Sequence, residues 1–277
     1  MKLAYSVVSP ESGGRVKACY GPYEDIFPKL KEMGYEGIEL LVQDPERVDT
    51  ALLDQALEKW ELSLAAIGTS PMQSEEKLFL IHPDKACSGE AKERCHSLLK
   101  LCARYQVPAL IGKYRGQVMD EEGCREKDLE AALAQVCREA KALGVEVLLE
   151  PQNATNINNI NTISDGLCWI QKLGYENLGL LADIYHMGVT ENSISQSLKA
   201  AGKRIGFIHM SDSGRKAPGE GNLPIAEVMR TLREINYEGY ISLEIDQEPD
   251  SLGAAARSAE YLKGLISKKD EHLRKAN

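Results

Sequence analysis

Four reactive side chains close four short apolar runs in the second half of the 277-residue chain. Val145–Leu149 is followed by Glu150, Gly179–Ala182 by Asp183, Ile205–Ile208 by His209, and Tyr240–Leu243 by Glu244. The intervals of 33, 26 and 35 residues each accommodate one strand, one helix and the return to the next strand. If the runs are neighbouring parallel strands joined by right-handed crossovers, all four side chains leave the same edge of the sheet. Three carboxylates and one imidazole form a donor set for a fairly hard divalent ion such as Mn²⁺, Mg²⁺ or Co²⁺. A structural zinc site would draw on thiolates, and no cysteine stands at these positions. Four ligands leave two positions of an octahedron for adjacent carbonyl and hydroxyl oxygens of a substrate.

Each residue alone has a plainer reading. A carboxylate after a strand ordinarily caps the next helix or faces solvent. A lone histidine such as His209 is commonly a satisfied interior residue, and His186 and Arg215 read singly as surface or ion-pair residues. Together the pattern points elsewhere, because three carboxylates buried without a cation repel one another and lose their hydration.

The elements that must position these residues alternate strand and helix. Strand patterns fall at Lys2–Val8, Gly37–Val42, Leu62–Ile67, Ala109–Ile111, Val145–Leu149, Leu178–Ala182, Ile205–His209 and Tyr240–Glu244. Helix patterns lie at Tyr23–Glu32, Thr50–Glu61, Lys85–Tyr105, Lys127–Leu143, Thr162–Leu173, Ile194–Ala201, Ile225–Ile235 and Ser251–Ser267. Gly34, Gly144 and Gly174 follow helix ends as C-caps should. Gly34–Leu40 is weakly echoed by Tyr237–Glu244, each leading from a helix end into a strand. Eight such units imply an α/β fold, a single (β/α)₈ TIM barrel spanning 1–277 with a short charged tail at about 268–277. A doubly wound open sheet would want a glycine-rich phosphate turn after an early strand, and none is present.

Composition narrows the function. The chain has 33 Lys and Arg against 42 Asp and Glu, a net charge of −9, and no basic cluster, which disfavours nucleic acid. Aromatic residues are only 6%, too few for a base-stacking platform. No run approaches the roughly 18 apolar residues of a membrane span, and the opening MKLAYSVVSPES is too brief for a secretory signal. The seven cysteines are scattered without C-x-x-C spacing, so a reduced structural role and a cytoplasmic location are expected. Lys113, Tyr114 and Arg115 follow the fourth strand and share its rim, an exposed loop cluster being the plain alternative. Ala217–Gly221 reads equally as a closing loop or as a turn. His82, His96 and His272 read as structural or solvent-exposed.

Leu149–Asn153, Leu181–Met187, Ile208–Arg215, Ala217–Gly221 and Ile241–Glu244 together give the chain a resemblance. It resembles the sugar phosphate isomerase/epimerase group with a xylose-isomerase-like barrel, in particular the ketose 3-epimerase and keto-sugar-acid epimerase branch. The resemblance implies that Glu150, Asp183, His209 and Glu244 are metal ligands, most often for Mn²⁺. It implies that Glu150 and Glu244 are also the acid/base pair on opposite faces of the sugar. His186 matches a residue that holds a substrate oxygen, Arg215 matches the arginine that helps bind the substrate near the metal, and Asn153 matches an asparagine of the loop after the strand. Where the branch usually carries Arg-Tyr/Phe-Glu, its Glu contacting substrate, this chain has Ala154-Thr155-Asn156. A neutral amide replaces a charge, which bears on the substrate rather than on the chemistry.

A proton beside a ketone is too weakly acidic for a side-chain base acting alone, and a chelating cation that stabilises the enediolate supplies the missing help. One carboxylate removes the proton and a second returns one. Return to the opposite face of the same carbon is epimerisation. Return to the neighbouring carbon is aldose–ketose isomerisation, as in inosose- or hydroxypyruvate-type isomerases. The resemblance favours a small-molecule sugar epimerase. A non-catalytic sugar-binding relative would be expected to break a ligand position, and all four are intact. An endonuclease-like hydrolase would want more histidines and a basic surface. Homo-oligomers are common in the group, and no interface is legible here.

Overall fold

The computed structural model describes residues 1–13 and 16–267. The charged tail and His272 therefore lie outside the described residues. Eight parallel strands close into a barrel in sequence order: β1 (Lys2–Val8), β2 (Gly37–Leu41), β3 (Ser63–Gly68), β4 (Ala109–Ile111), β5 (Val147–Leu149), β6 (Leu178–Asp183), β7 (Ile205–Met210) and β8 (Tyr240–Leu243). The ring closes where Lys2 pairs with Tyr240 and Tyr5 with Leu243.

Both faces of each strand are covered, which is why the strands read as continuous apolar runs rather than alternating ones. Inside, Ala4, Ala65, Ala66, Leu110, Leu148, Leu181 and Phe207 pack one another as a filled core. Outside, the strands meet the apolar faces of the surrounding helices. The helix Ile225–Glu234 is typical: Ile225, Val228, Met229 and Leu232 recur at helical spacing and are buried. Each such side chain contributes roughly 1.5–3 kcal/mol by leaving water, so a charge at Val228 would undo this docking.

Helix ends follow local chemistry. Asp49, Asp84 and Thr162 accept backbone N–H groups at the starts of Thr50–Trp60, Lys85–Tyr105 and Ile163–Leu173. Gly34, Gly144 and Gly174 stand at φ of 81°, 70° and 70°, the left-handed region expected of C-caps. One helix that the apolar patterning does not predict, Ile184–Thr190, begins directly after β6. Its start is set by the Asp183 carboxylate, which accepts the His186 N–H at 3.0 Å.

All seven cysteines are free; five are buried, Cys87 is half-buried and Cys168 is exposed. Among the described residues no helix is long and apolar enough to cross a membrane.

Candidate metal centre and active site

The barrel brings Glu150, Asp183, His209 and Glu244 to one end. Asp183 and His209 sit side by side in the β6–β7 register, and Glu150 and Glu244 are the first residues after β5 and β8. One ligand atom from each lies within 4.8 Å of all the others. Atoms about 2.1 Å from a shared octahedral ion would be separated by about 3–4 Å, so the cluster is close to coordination size. The centre of the cluster is the His209 Nδ1 atom, 3.6 Å from Glu150 Oε1, from Asp183 Oδ2 and from Glu244 Oε2. Those distances are too long for hydrogen bonds. His209 Nδ1 and Glu150 Oε1 are accordingly buried without a partner. Buried polar atoms are nearly always satisfied, and a divalent cation among these four groups would satisfy both. The donor set fits a divalent metal site.

His209 is held from behind. Its Nε2 lies 3.0 and 3.1 Å from the two carboxylate oxygens of Glu39, a fully buried residue of β2. Glu39 also accepts from Ser242 Oγ at 2.6 Å and Ser6 Oγ at 2.9 Å. Glu39 is thus satisfied while Nδ1 is turned toward the other carboxylates. A carboxylate on the far nitrogen fixes tautomer and ring orientation for a metal-binding imidazole.

Burial shapes the protonation of the cluster. It pushes the Glu244 carboxyl up to about 7, against the pull of Arg215 and His209. It opposes the charged form of His209 too, but Glu39 and Glu244 outweigh it and hold the imidazole well above its ordinary range. Asp183 is likewise desolvated, yet the Arg215 guanidinium keeps it well below the usual carboxylate range. Arg215 Nη1 stands 2.7 Å from both Asp183 Oδ2 and Glu244 Oε2, and the guanidinium carbon lies 4.5 Å from the centre of the Tyr185 ring. Its backbone is left-handed, with φ of 59°, a conformation a bulky residue adopts only where its surroundings hold it.

Asp183 combines the plain and the functional readings: Oδ1 caps a helix while Oδ2 joins the cluster. His186 lies on that helix. Its Nδ1 faces the backbone N–H of Asn153 at 3.3 Å and the Asn153 Nδ2 at 2.8 Å. Backbone N–H can only donate, so Nδ1 accepts and Nε2 carries the proton. Burial lowers the pKa of the ring, in keeping with a neutral form. Nε2 then faces Arg215 Nη2 at 3.0 Å, donor toward donor. The two converge on a space that suits an acceptor oxygen.

A cavity of about 390 Å³ opens above the cluster. His186, Arg215, Glu244, Gln152 and Asn156 line it, as do Lys113 and Tyr114. Asn153, expected at the substrate, is instead buried behind His186, its Oδ1 accepting from Thr155. Ala217–Gly221 is a turn rather than a closing loop: the Asp212 carboxylate accepts the N–H groups of Gly219 and Leu223 and ties the segment down.

Two residues support the cluster in ways that the sequence pattern does not show. Glu39 is one; a charge inside an otherwise apolar strand was the available signal. Arg115 is the other, and it corrects the exposed-loop alternative, for both Tyr114 and Arg115 are buried. The Arg115 guanidinium donates to the carbonyls of Gly112, Glu150, Asn159 and Ile160 and to Asn159 Oδ1. All of its donor capacity is thus spent on main chain and one amide around Glu150. Burial pulls its pKa down to about 10. Gly112 completes the seat, since a Cβ there would stand 2.4 Å from Glu150 Oε2.

Comparison with known proteins agrees with this architecture. The model of the xylose isomerase-like TIM barrel family matches residues 27–265. The chain is 29% identical over 217 residues to an L-ribulose 3-epimerase of Methylomonas sp. (strain DH-1), covering 76% of this chain and 74% of that protein. It is 25% identical over 273 residues to a D-psicose 3-epimerase of Agrobacterium fabrum, covering 94% and 91%. The crystal structure of a Methylomonas D-allulose 3-epimerase in complex with D-allulose superposes with a TM-score of 0.77 at 24% identity, over 95% of this chain and 97% of that one. These relatives are sugar epimerases, enzymes of the isomerase class, and the chain belongs to the xylose isomerase-like TIM barrel family.

Proposed function

We propose that this protein is a divalent-metal-dependent epimerase that inverts the carbon beside the carbonyl of a ketose or keto-sugar acid, C3 by similarity to its relatives. The observation that carries the reading is the convergence of three carboxylates on a buried imidazole nitrogen with no partner of its own, at the floor of a polar cavity. Glu150, Asp183, His209 and Glu244 would hold the cation, Mn²⁺ by resemblance, with Mg²⁺ or Co²⁺ as the alternatives. Such a cation polarises the ketone and stabilises the negative charge left when the neighbouring carbon loses its proton.

The residues then divide the work. Glu150 and Glu244 rise from β5 and β8, on different sides of the barrel mouth, and act as the two proton-transfer groups on opposite faces of the substrate. His186 Nε2–H and Arg215 Nη2 orient a substrate oxygen, and Asn153 holds His186 in the tautomer this requires. Asn156, at the cavity wall, bears on substrate choice. The unpaired thiols favour a cytoplasmic setting, the net charge disfavours nucleic acid as a partner, and a homo-oligomer is in keeping with the group.

The test is proton exchange. Protein loaded with Mn²⁺ in D₂O, offered a panel of ketoses and keto-sugar acids, is expected to place deuterium on the carbon beside the carbonyl, and chelation to stop it. Label on C3 with both epimers present is epimerisation. Label on C1 with aldose appearing is isomerisation instead. Absence of label across the panel, with metal shown to be bound, would overturn the enzymatic reading.

A further inference from the structure

The cavity is uneven in charge. Glu244 is its only lining carboxylate among the described residues, and it belongs to the ligand cluster. Away from that cluster the lining groups are Lys17, Lys113 and neutral donors and acceptors such as Thr69, Ser70, Gln73 and Asn156. Lys17 is neutralised by an ion pair with Asp246. Lys113 has no carboxylate partner among the described residues, although it is only partly exposed. Its position is not accidental slack in a loop. It opens the short turn Lys113–Arg115, in which Tyr114 donates to the Ala91 carbonyl and Arg115 is clamped as described. The Asn156 side-chain amide also has no partner among the described residues.

Hydroxyl and amide groups suit the hydroxyls of a sugar chain. A cation at the wall of such a cavity is different: it attracts an anionic group that can reach it. The negative charges within the cavity are already committed to the metal cluster and to Arg215. No carboxylate of the lining is thus left to oppose Lys113.

We propose that the substrate is a ketose bearing an anionic group, a phosphate ester or a carboxylate, at the end remote from its carbonyl. Lys113 receives that group and the Asn156 amide donates to it. The inference rests on the epimerase reading and narrows it to a substrate class.

The test compares matched substrates on Mn²⁺-loaded protein: D-fructose, D-tagatose and D-psicose, each as the free sugar, the 6-phosphate and the 6-carboxylate. At least one anionic form is expected to exceed its neutral parent about tenfold or more in kcat/KM, the scale of one charge-assisted contact. The phosphate and carboxylate arms show which anion is meant. Lys113→Met is expected to bring that ratio to about one, Lys113→Arg to retain most of it, and Asn156→Glu to lower it by placing like charge in the cavity. An unchanged thermal melt of Lys113→Met shows that the fold is intact. Equal or better turnover of the neutral sugars overturns the anion proposal and leaves the epimerase reading standing. Deuterium exchange with none of the nine compounds, metal being shown bound, overturns the anion proposal, while the epimerase reading is judged on the wider panel given above.

Discussion

Glu39 reaches from β2 across the top of the barrel core to His209 on β7, placing both of its carboxylate oxygens within 3.1 Å of Nε2. Burial alone would raise the pKa of this carboxyl, but the His209 charge and three hydrogen-bonding partners hold it low. The pair therefore fixes which nitrogen faces the three carboxylates. Glu39→Gln is expected to fold yet bind Mn²⁺ about 10–100-fold more weakly. Calorimetric titration of the metal-free protein measures this directly. Affinity equal to the parent would remove Glu39 from any part in metal binding.

Metal affinity should also depend on pH in a definite direction. In the absence of a cation, His209 is held protonated well above its ordinary range and Glu244 titrates near 7. Both protons oppose coordination, so binding releases protons and tightens as pH rises from about 6 to 8. Titrations in buffers of different ionisation enthalpy should show net proton release at neutral pH. Proton uptake would contradict the arrangement described.

Glu150→Gln and Glu244→Gln each retain an oxygen for the cation but lose the capacity to carry a proton. Each is expected to cut turnover by about 10²–10⁴-fold at saturating Mn²⁺. Initial rates with bound metal counted per chain separate lost chemistry from lost metal. Full activity in either variant would exclude that residue from the acid/base pair.

Arg115 offers a prediction about stability. Its five donors meet five acceptors around the Glu150 loop, and a lysine has neither the reach nor the number to replace them. Arg115→Lys should leave buried carbonyls unpaired and cost about 3 kcal/mol. Chemical denaturation of the parent and variant reads the difference, and an unchanged midpoint would count against the clamp.

Much of this architecture is legible in the residues themselves. The eight strands lie within two residues of their apolar runs, because burial on both faces leaves a continuous signal. The four clustered side chains are legible because each follows such a run at the spacing of one βα unit. Glu39 is harder to read: it sits inside a strand, and its partner comes from a strand 170 residues away. Arg115 is harder still, since most of its partners are backbone carbonyls, which every residue has. Asn153 falls in the loop after β5, but only the position of His186 shows that it faces that ring rather than the cavity.

The closure of the ring has a consequence for how the protein comes into being. The second half of the chain, from β5 onward, carries every candidate ligand, whereas the support of His209 comes from the first half. Ser6 and Glu39 reach Ser242 only once β1 has joined β8. A ribosome would thus deliver all four candidate ligands, and Ser242 with them, after Ser6 and Glu39. Capture of the ion then reports that the two ends of the chain have met, and a nascent or nicked chain that has not closed would hold its metal loosely.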